Sequence, residues 1–394
     1  MKYELAITSW GEEEKEAAKV VIDSGFTTMG KQVREYECLF ASYFHSKYCV
    51  MVNSGSSANL LAIAALFYTK NNPLKIGDEV IVPAVSWATT YYPLAQYGLH
   101  LKFVDIDIDT LNFDLGALQR AITNKTKMIM AVNLLGNSND YKKIEEMISD
   151  RNIMLIEDNC EALGATFNEK FTGTFGRMGT FSSFFSHHIS TMEGGMILTD
   201  EEELYQILIS IRSHGWTRLL PKRNLVCSEK SDNLFDEQFR FILPGYNVRP
   251  LEIMGAIGKE QLKKVNNFNA YRRLNAKYFK EKFSASKYFI TQKEIGSSSW
   301  FGFSFILKEN TLFTRKELLE YLSAKDIETR PIVAGNFTKN EVLKFFDYEL
   351  AGEMKNADYL DKHGFFVGNH QFDIKDKIDY LYTIIEEFIE FKQK

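Results

Sequence analysis

Four short stretches hold side chains of the type and spacing that do chemistry. The first is SSFFSHHISTMEGGM, from Ser182 to Met196. It sets two adjacent histidines, His187 and His188, between Ser182 and a Glu193-Gly194-Gly195 turn. An imidazole with an ordinary pKa of about 6.5 can take or give a proton near neutrality. Histidine is also a common structural residue, and two in a row can suggest a metal, yet no third ligand stands nearby at a recognisable spacing. The second is Asn53-Ser54-Gly55-Ser56-Ser57-Ala58-Asn59, between a β-like run and a helical one. Small residues let the backbone approach an anion, and a helix N-terminus offers unpaired N–H groups and partial positive charge. The same residues also make a simple N-cap. In the third, Ala84-Val85-Ser86-Trp87, an indole just past a strand end can stack on a planar ligand or fill core space. The fourth, Glu157-Asp158-Asn159-Cys160-Glu161, follows another strand-like run. Three carboxylates there are costly to bury without partners, so a solvated loop competes with a functional site. In a site, Asp158 is placed to pair with a protonated pyridine nitrogen, as in a pyridoxal ring.

The elements that must position these side chains are legible from periodicity. GEEEKEAAKVVIDS reads as an amphipathic helix with acidic residues in its first turn and Gly25 as its stop. Next, β-like runs (YCVMVNS, DEVIVPAVSW, LKFVDIDI, TKMIMAVNLL, NIMLIED) alternate with helical ones (SANLLAIAALFYT, KKIEEMISD). Buried strands separated by helices predict an α/β fold with a mainly parallel sheet, whose ligands bind at the carboxyl ends of the strands. From about residue 250 the pattern changes to a long helical stretch beginning at Leu251, the strand SSWFGFSFIL, the helix TRKELLEYLSAK and a tail with Ile378, Leu381, Ile385 and Phe388 at helical spacing. The expected division is a large domain over 1–250 and a smaller α+β domain over 251–394.

A chain of 394 residues usually holds two domains, and 45% apolar content predicts a well-buried protein. The net charge of −5 gives no general pull toward nucleic acid or an anionic membrane, so a phosphate-bearing ligand needs a local site. None of the four cysteines, Cys38, Cys49, Cys160 and Cys227, is at C-x-x-C spacing, so no zinc or iron–sulfur framework is expected. With no apolar leader and no membrane-length run, the chain reads as soluble and cytoplasmic.

The ordered set SGSSAN, VPAVSW, IEDNCEALGA, FSSFFSHHISTMEGG and GYNVRPLEIMGAIG resembles the sugar aminotransferase family of fold type I pyridoxal phosphate enzymes, which act on nucleotide-linked 4-keto sugars. The likeness covers nearly the whole chain. It implies an aspartate-aminotransferase-like α/β fold, with a large, mostly parallel, seven-stranded-type sheet and a smaller C-terminal α+β domain. In that family the fourth motif reads roughly S-F-x-x-x-K-N-I-x-x-G-E-G-G, and its lysine bonds the cofactor covalently. Aligning Ser182 and Glu193-Gly194-Gly195 puts His187 at the lysine position, and no lysine occurs between Lys170 and Lys222. That departure is similar to one branch, the 3-dehydratases of 4-keto-6-deoxy sugars. SHHISTMEGG, VPAVSWATTYYPLAQYG and HGFFVGNHQ carry this closer likeness. A related branch for CDP-linked sugars also has histidine here, but carries an iron–sulfur cluster on clustered cysteines that this chain lacks.

The resemblance implies roles. Gly55, Ser56 and Ser182 hold the cofactor phosphate, Trp87 stacks on the ring, and Asp158 pairs with its nitrogen. Glu161 stands where aminotransferases usually have Gln, near the ring's phenolic oxygen. Asn247 reaches the phosphate of a partner subunit, which requires a homodimer with the site at the interface. Arg249, Arg330 and His214 are candidate substrate contacts, and a packing or hydrogen-bonding role suits His188. Arg212, Arg218, Lys222 and Arg223 could meet a diphosphate or form a solvated loop.

A histidine can move protons as the lysine does, but cannot hold the cofactor covalently. Non-covalent pyridoxal or pyridoxamine phosphate is therefore expected; the resemblance implies glutamate as amino donor and a GDP-linked 4-keto-6-deoxymannose that loses its C3 hydroxyl to give the 3,6-dideoxy sugar, with ammonia released. The resemblance places this in colitose-type deoxysugar biosynthesis for lipopolysaccharide O-antigen. His187 takes a proton from the cofactor's C4′. Two rivals stand beside it: an ordinary nucleotide-sugar 4-aminotransferase, against which the missing lysine counts, and a catalytically dead binding module, against which the retained Asp158, Ser182, Asn247 and serine-rich loop count.

Overall fold

A computed structural model of the chain describes residues 1–309 and 311–394. The apolar runs form the strands β1 (Tyr48–Val52), β2 (Glu79–Pro83), β3 (His100–Val104), β4 (Thr126–Val132), β5 (Met154–Asp158), β6 (Met178–Ser182) and β7 (Gly195–Thr199). They lie in one sheet in the order β1-β7-β6-β5-β4-β2-β3. β7 runs antiparallel to both β1 and β6, and the other neighbours are parallel. The strands lack polar alternation because both faces are covered. Val80 and Val82 face one apolar core, while Ile81, between them, faces another.

An eighth strand, Tyr348–Leu350, adds to the free edge of β3 in parallel register. Its residues are exposed and no periodicity announces it. The side chains that tie it down are charged: Lys102 on β3 bridges Glu349 at 2.8 Å and Glu79 on β2 at 3.2 Å.

Helices α1 (Glu12–Ser24) and α3 (Gly55–Leu66) follow the predicted pattern, and α2 (Lys31–Tyr43) and α4 (Ala88–Gln96) join them. Gly25 ends α1 at φ 72°, the left-handed conformation glycine adopts without strain. From Leu60 onward α3 is apolar all round because helices and sheet enclose it. The long helix Glu252–Phe283 packs its first half on α1 and α2. Its second half contributes Phe279 and Phe283 to a separate core with Phe303, Phe305, Ile378, Leu381, Ile385 and Phe388. The four tail residues expected on one helical face are all in that core. A three-stranded sheet, Phe289–Ile290, Gly302–Leu307 and Gly364–Gly368, backs it. The chain crosses between the cores in two further places. Tyr3 lies in the second core and donates to the Gly368 carbonyl at 2.8 Å, whereas Ile332, Phe337, Leu343 and Leu360 return to the first.

Candidate active site

β1 delivers the chain to Ser54, whose hydroxyl accepts the Ser57 amide at 3.1 Å and caps α3. First-turn amides lack intrahelical acceptors, so those of Gly55 and Ser56 remain for a ligand. The N-cap expectation is met, and the same loop leaves free amides where the anion site is expected. A Cβ on Gly55 would stand 2.7 Å from Ser182 Cβ and 3.1 Å from Cys160 Sγ. One on Gly195 would stand 2.2 Å from the Ser54 carbonyl oxygen. These two glycines let the ends of β1, β6 and β7 close around the loop. Ser56 Oγ donates to Thr89 Oγ1 at 3.0 Å, and Ser182 Oγ accepts the Phe184 amide at 3.3 Å. Gly55, Ser56 and Ser182 form one end of a cavity of about 570 Å³.

Asp158, the last residue of β5, lines that cavity and is only 6% exposed. Three donors converge on it: Asn59 Nδ2 at 2.9 Å, Thr90 Oγ1 at 2.7 Å and the Cys160 amide at 3.2 Å. Thr180 Oγ1 donates to Asn59 Oδ1 at 2.6 Å and orients the amide. Glu157 points the other way and accepts the amides of Gly173, Phe175 and Gly176. The solvated-loop alternative fails here, because both carboxyls are buried among donors. Glu161 is half-buried on the cavity wall, and its Oε2 accepts the Leu135 amide at 2.9 Å. Burial, then the charge of Asp158, pushes its pKa up to about 7. Trp87 is 59% exposed at the cavity's rim, so the core alternative for its indole does not hold.

The loop from β6 to β7 separates the two histidines. His187 lines the cavity, with its ring 5.3 Å from Phe301 and 6.0 Å from Phe184. Its Nδ1 is buried without a partner. Burial, then the charge of Arg272, lowers its pKa to about 4, which keeps the ring neutral. His188 turns into the protein, 1% exposed, and its Nε2 lies 3.1 Å from the Ser299 carbonyl that accepts from it. No lysine lines the cavity among the described residues.

The far wall comes from the C-terminal half: Phe301, Arg330, Pro331, Val333 and Phe366. Arg330 is held through its backbone, which exchanges hydrogen bonds with Phe366 at 3.1 and 2.8 Å. Three expected site residues are not in this cavity. Asn247 and Arg249 are exposed, with Arg249 Nε donating to Asn247 Oδ1 at 2.9 Å. His214 is exposed, with φ 64°, and its amide donates to the Tyr246 carbonyl at 2.7 Å. Of the basic run, Arg212 is buried, pairs with Glu37 at 2.5 Å and donates to the Met51 carbonyl at 2.7 Å, so it is structural. Lys222 pairs with Asp232. The residues that sequence alone missed are Asn59, Thr89 and Thr90, which hold Asp158 and Ser56, and the C-terminal aromatic wall. Asn59 sits one helical turn from Gly55, the one spacing that could have pointed to it. All four cysteines are free thiols, and no helix is long and apolar enough to cross a membrane among the described residues.

Residues 8–380 match the model of the DegT/DnrJ/EryC1/StrS aminotransferase family. A GDP-4-keto-6-deoxy-D-mannose 3-dehydratase of Escherichia coli O55:H7 is 59% identical over 387 residues, covering 98% of this chain and 100% of the relative. A protein of the same name from Yersinia pseudotuberculosis is 59% identical over 388 residues, covering 98% and 99%. A crystal structure of GDP-4-keto-6-deoxymannose-3-dehydratase with a trapped PLP-glutamate geminal diamine superposes with a TM-score of 0.96, at 59% identity, covering 97% of this chain and 100% of that one. At that similarity the two share one fold, the fold type I arrangement that the motifs imply, here with an eighth edge strand. The chain belongs to the DegT/DnrJ/EryC1/StrS aminotransferase family.

Proposed function

We propose that this protein is a pyridoxal/pyridoxamine phosphate-dependent 3-dehydratase that removes the C3 hydroxyl of GDP-4-keto-6-deoxy-D-mannose, with glutamate as amino donor. One observation carries it: in the cavity that gathers Gly55, Ser56, Asp158 and Ser182, the imidazole of His187 lines the interior and, among the described residues, no lysine does. Full-length identity to 3-dehydratases of that name supports the substrate.

The residues present fit the cofactor. The close approach of Gly55 to Ser182 leaves backbone amides and a hydroxyl for a phosphate. Asp158 is a buried acceptor suited to a protonated ring nitrogen. Trp87 would cover a ring face, and Glu161 would meet the ring's oxygen. Asn247, exposed and outside its own cavity, would reach the phosphate in the other copy of a homodimer. When bound, the cofactor supplies an electron sink and an amino group for the 4-keto sugar. His187 takes the proton at the cofactor's C4′, and its weak hold on that proton favours passing it to the departing C3 oxygen. Among the described residues no lysine lines the cavity to bond the cofactor covalently. Arg330 is placed to meet an anionic part of the substrate. Free thiols suit a reducing cytoplasm.

The test is to incubate the protein with pyridoxal phosphate, glutamate and GDP-4-keto-6-deoxymannose and weigh the sugar product. Loss of oxygen without gain of nitrogen is expected. Gain of nitrogen identifies a 4-aminotransferase, and tight cofactor binding without turnover identifies a binding module.

A further inference from the structure

Arg272, on the helix Glu252–Phe283, is 4% exposed. Among the described residues no carboxylate lies within ion-pair distance of it. Its Nη1 donates to the backbone carbonyls of Asn369 at 2.8 Å, Phe301 at 3.2 Å and Trp300 at 3.4 Å, while its Nε is buried with no acceptor. An interior charge without a counter-ion is expensive, and such groups gather where a site needs them. Two of these carbonyls, those of Trp300 and Phe301, belong to the strip Ser299–Phe301, and the third, Asn369, ties that strip to the end of the strand Gly364–Gly368. Phe301 packs its ring on both His187 at 5.3 Å and His188 at 5.8 Å, and the Ser299 carbonyl takes the His188 Nε2 hydrogen. One guanidinium thus fixes the wall behind both imidazoles.

We propose that Arg272 is a positioning residue for His187: it clamps the Trp300–Phe301 strip on which the ring rests and, as a buried unpaired positive charge, keeps that ring a proton acceptor. The catalytic part of this inference rests on the dehydratase function proposed above. The other charged and titratable groups facing His187 are Asp158, Cys160 and Glu161 from the end of β5, Glu193 and His188 from its own loop, and Arg330 from the far wall. Asp158 and Glu161, when charged, would favour a proton on His187, and Arg272 opposes them. The same charge also acts against protonation of His370.

The test reads the His187 ring by NMR in cofactor-free protein, assigned with His187→Asn. Removing the charge in Arg272→Met is expected to raise the titration midpoint by about one pH unit, and the acid limb of kcat/KM should move the same way. Arg272→Lys should leave the midpoint in place while kcat falls, because the clamp is lost and the charge kept. A midpoint unchanged in folded Arg272→Met overturns the proposal. Should that variant not fold, Arg272→Gln gives the same reading. Should neither fold, the unsubstituted protein decides, since a midpoint at or above the ordinary 6.5 overturns it. Because no sugar is present in the titration, absent turnover with the expected shift counts against the dehydratase function alone.

Discussion

Replacing Glu161 with Gln is expected to flatten the pH dependence of stability in the cofactor-free protein. In the fold this carboxyl is raised from 4.5 to about 7, first by burial and then by the charge of Asp158, against the pull of the Leu135 amide. The folded state therefore holds the proton more tightly than the unfolded chain does. The stability contributed by the neutral acid is fully present below pH 4.5 and is lost as pH rises through about 7. A rise of that size corresponds to about 3 kcal/mol over the whole transition at most, because Glu161 is half-buried and water screens part of it. About 2 kcal/mol of this falls between pH 5 and pH 8. The glutamine of the variant would still accept the Leu135 amide but could not titrate. The assay is denaturant unfolding of both proteins at the two pH values. Shared titrations, such as those of Glu157 and Asp105 (raised by burial) and His370 (lowered by burial), cancel in the comparison. The unsubstituted protein should lose about 2 kcal/mol more than the variant on going to pH 8. Equal losses would show that Glu161 is not held neutral by this cavity, and the account of its environment would fail.

Three further outcomes follow from the site. His187→Asn should bind cofactor and lose dehydration by about 10²–10⁴-fold, the usual worth of general acid–base help; a full rate by product mass removes His187 from the reaction. Borohydride treatment should leave cofactor and chain separable in the unsubstituted protein and join them in His187→Lys; a joined unsubstituted protein shows a covalent anchor elsewhere. In Gly55→Ala the new Cβ sits 2.7 Å from Ser182 Cβ, about 1 Å inside ordinary carbon contact. Overpacking of that kind costs about 1–3 kcal/mol, so cofactor affinity should fall about tenfold or more; unchanged affinity by fluorescence titration would show that the loop opens freely.

The alternation of strands and helices was legible in the sequence because it is written in local periodicity and in stop residues such as Gly25. The loops that build the site were legible too, since ligands of an α/β sheet gather where strands end, and small residues, a lone indole and clustered carboxyls stand out there. Local pattern could not say which alternative held for Trp87, Asp158 or the two histidines. That was decided by contacts between residues far apart in the chain. Asn59 reaches Asp158 across 99 positions and Thr90 across 68, while Phe301 arrives from the C-terminal half to pack against both His187 and His188. The edge strand Tyr348–Leu350 is stabilised by pairing with β3 and by Lys102, not by its own composition. Residue types announced the chemistry available to this protein; burial, which no single segment encodes, set the protonation of Glu161 and His187 and so decided how that chemistry can run.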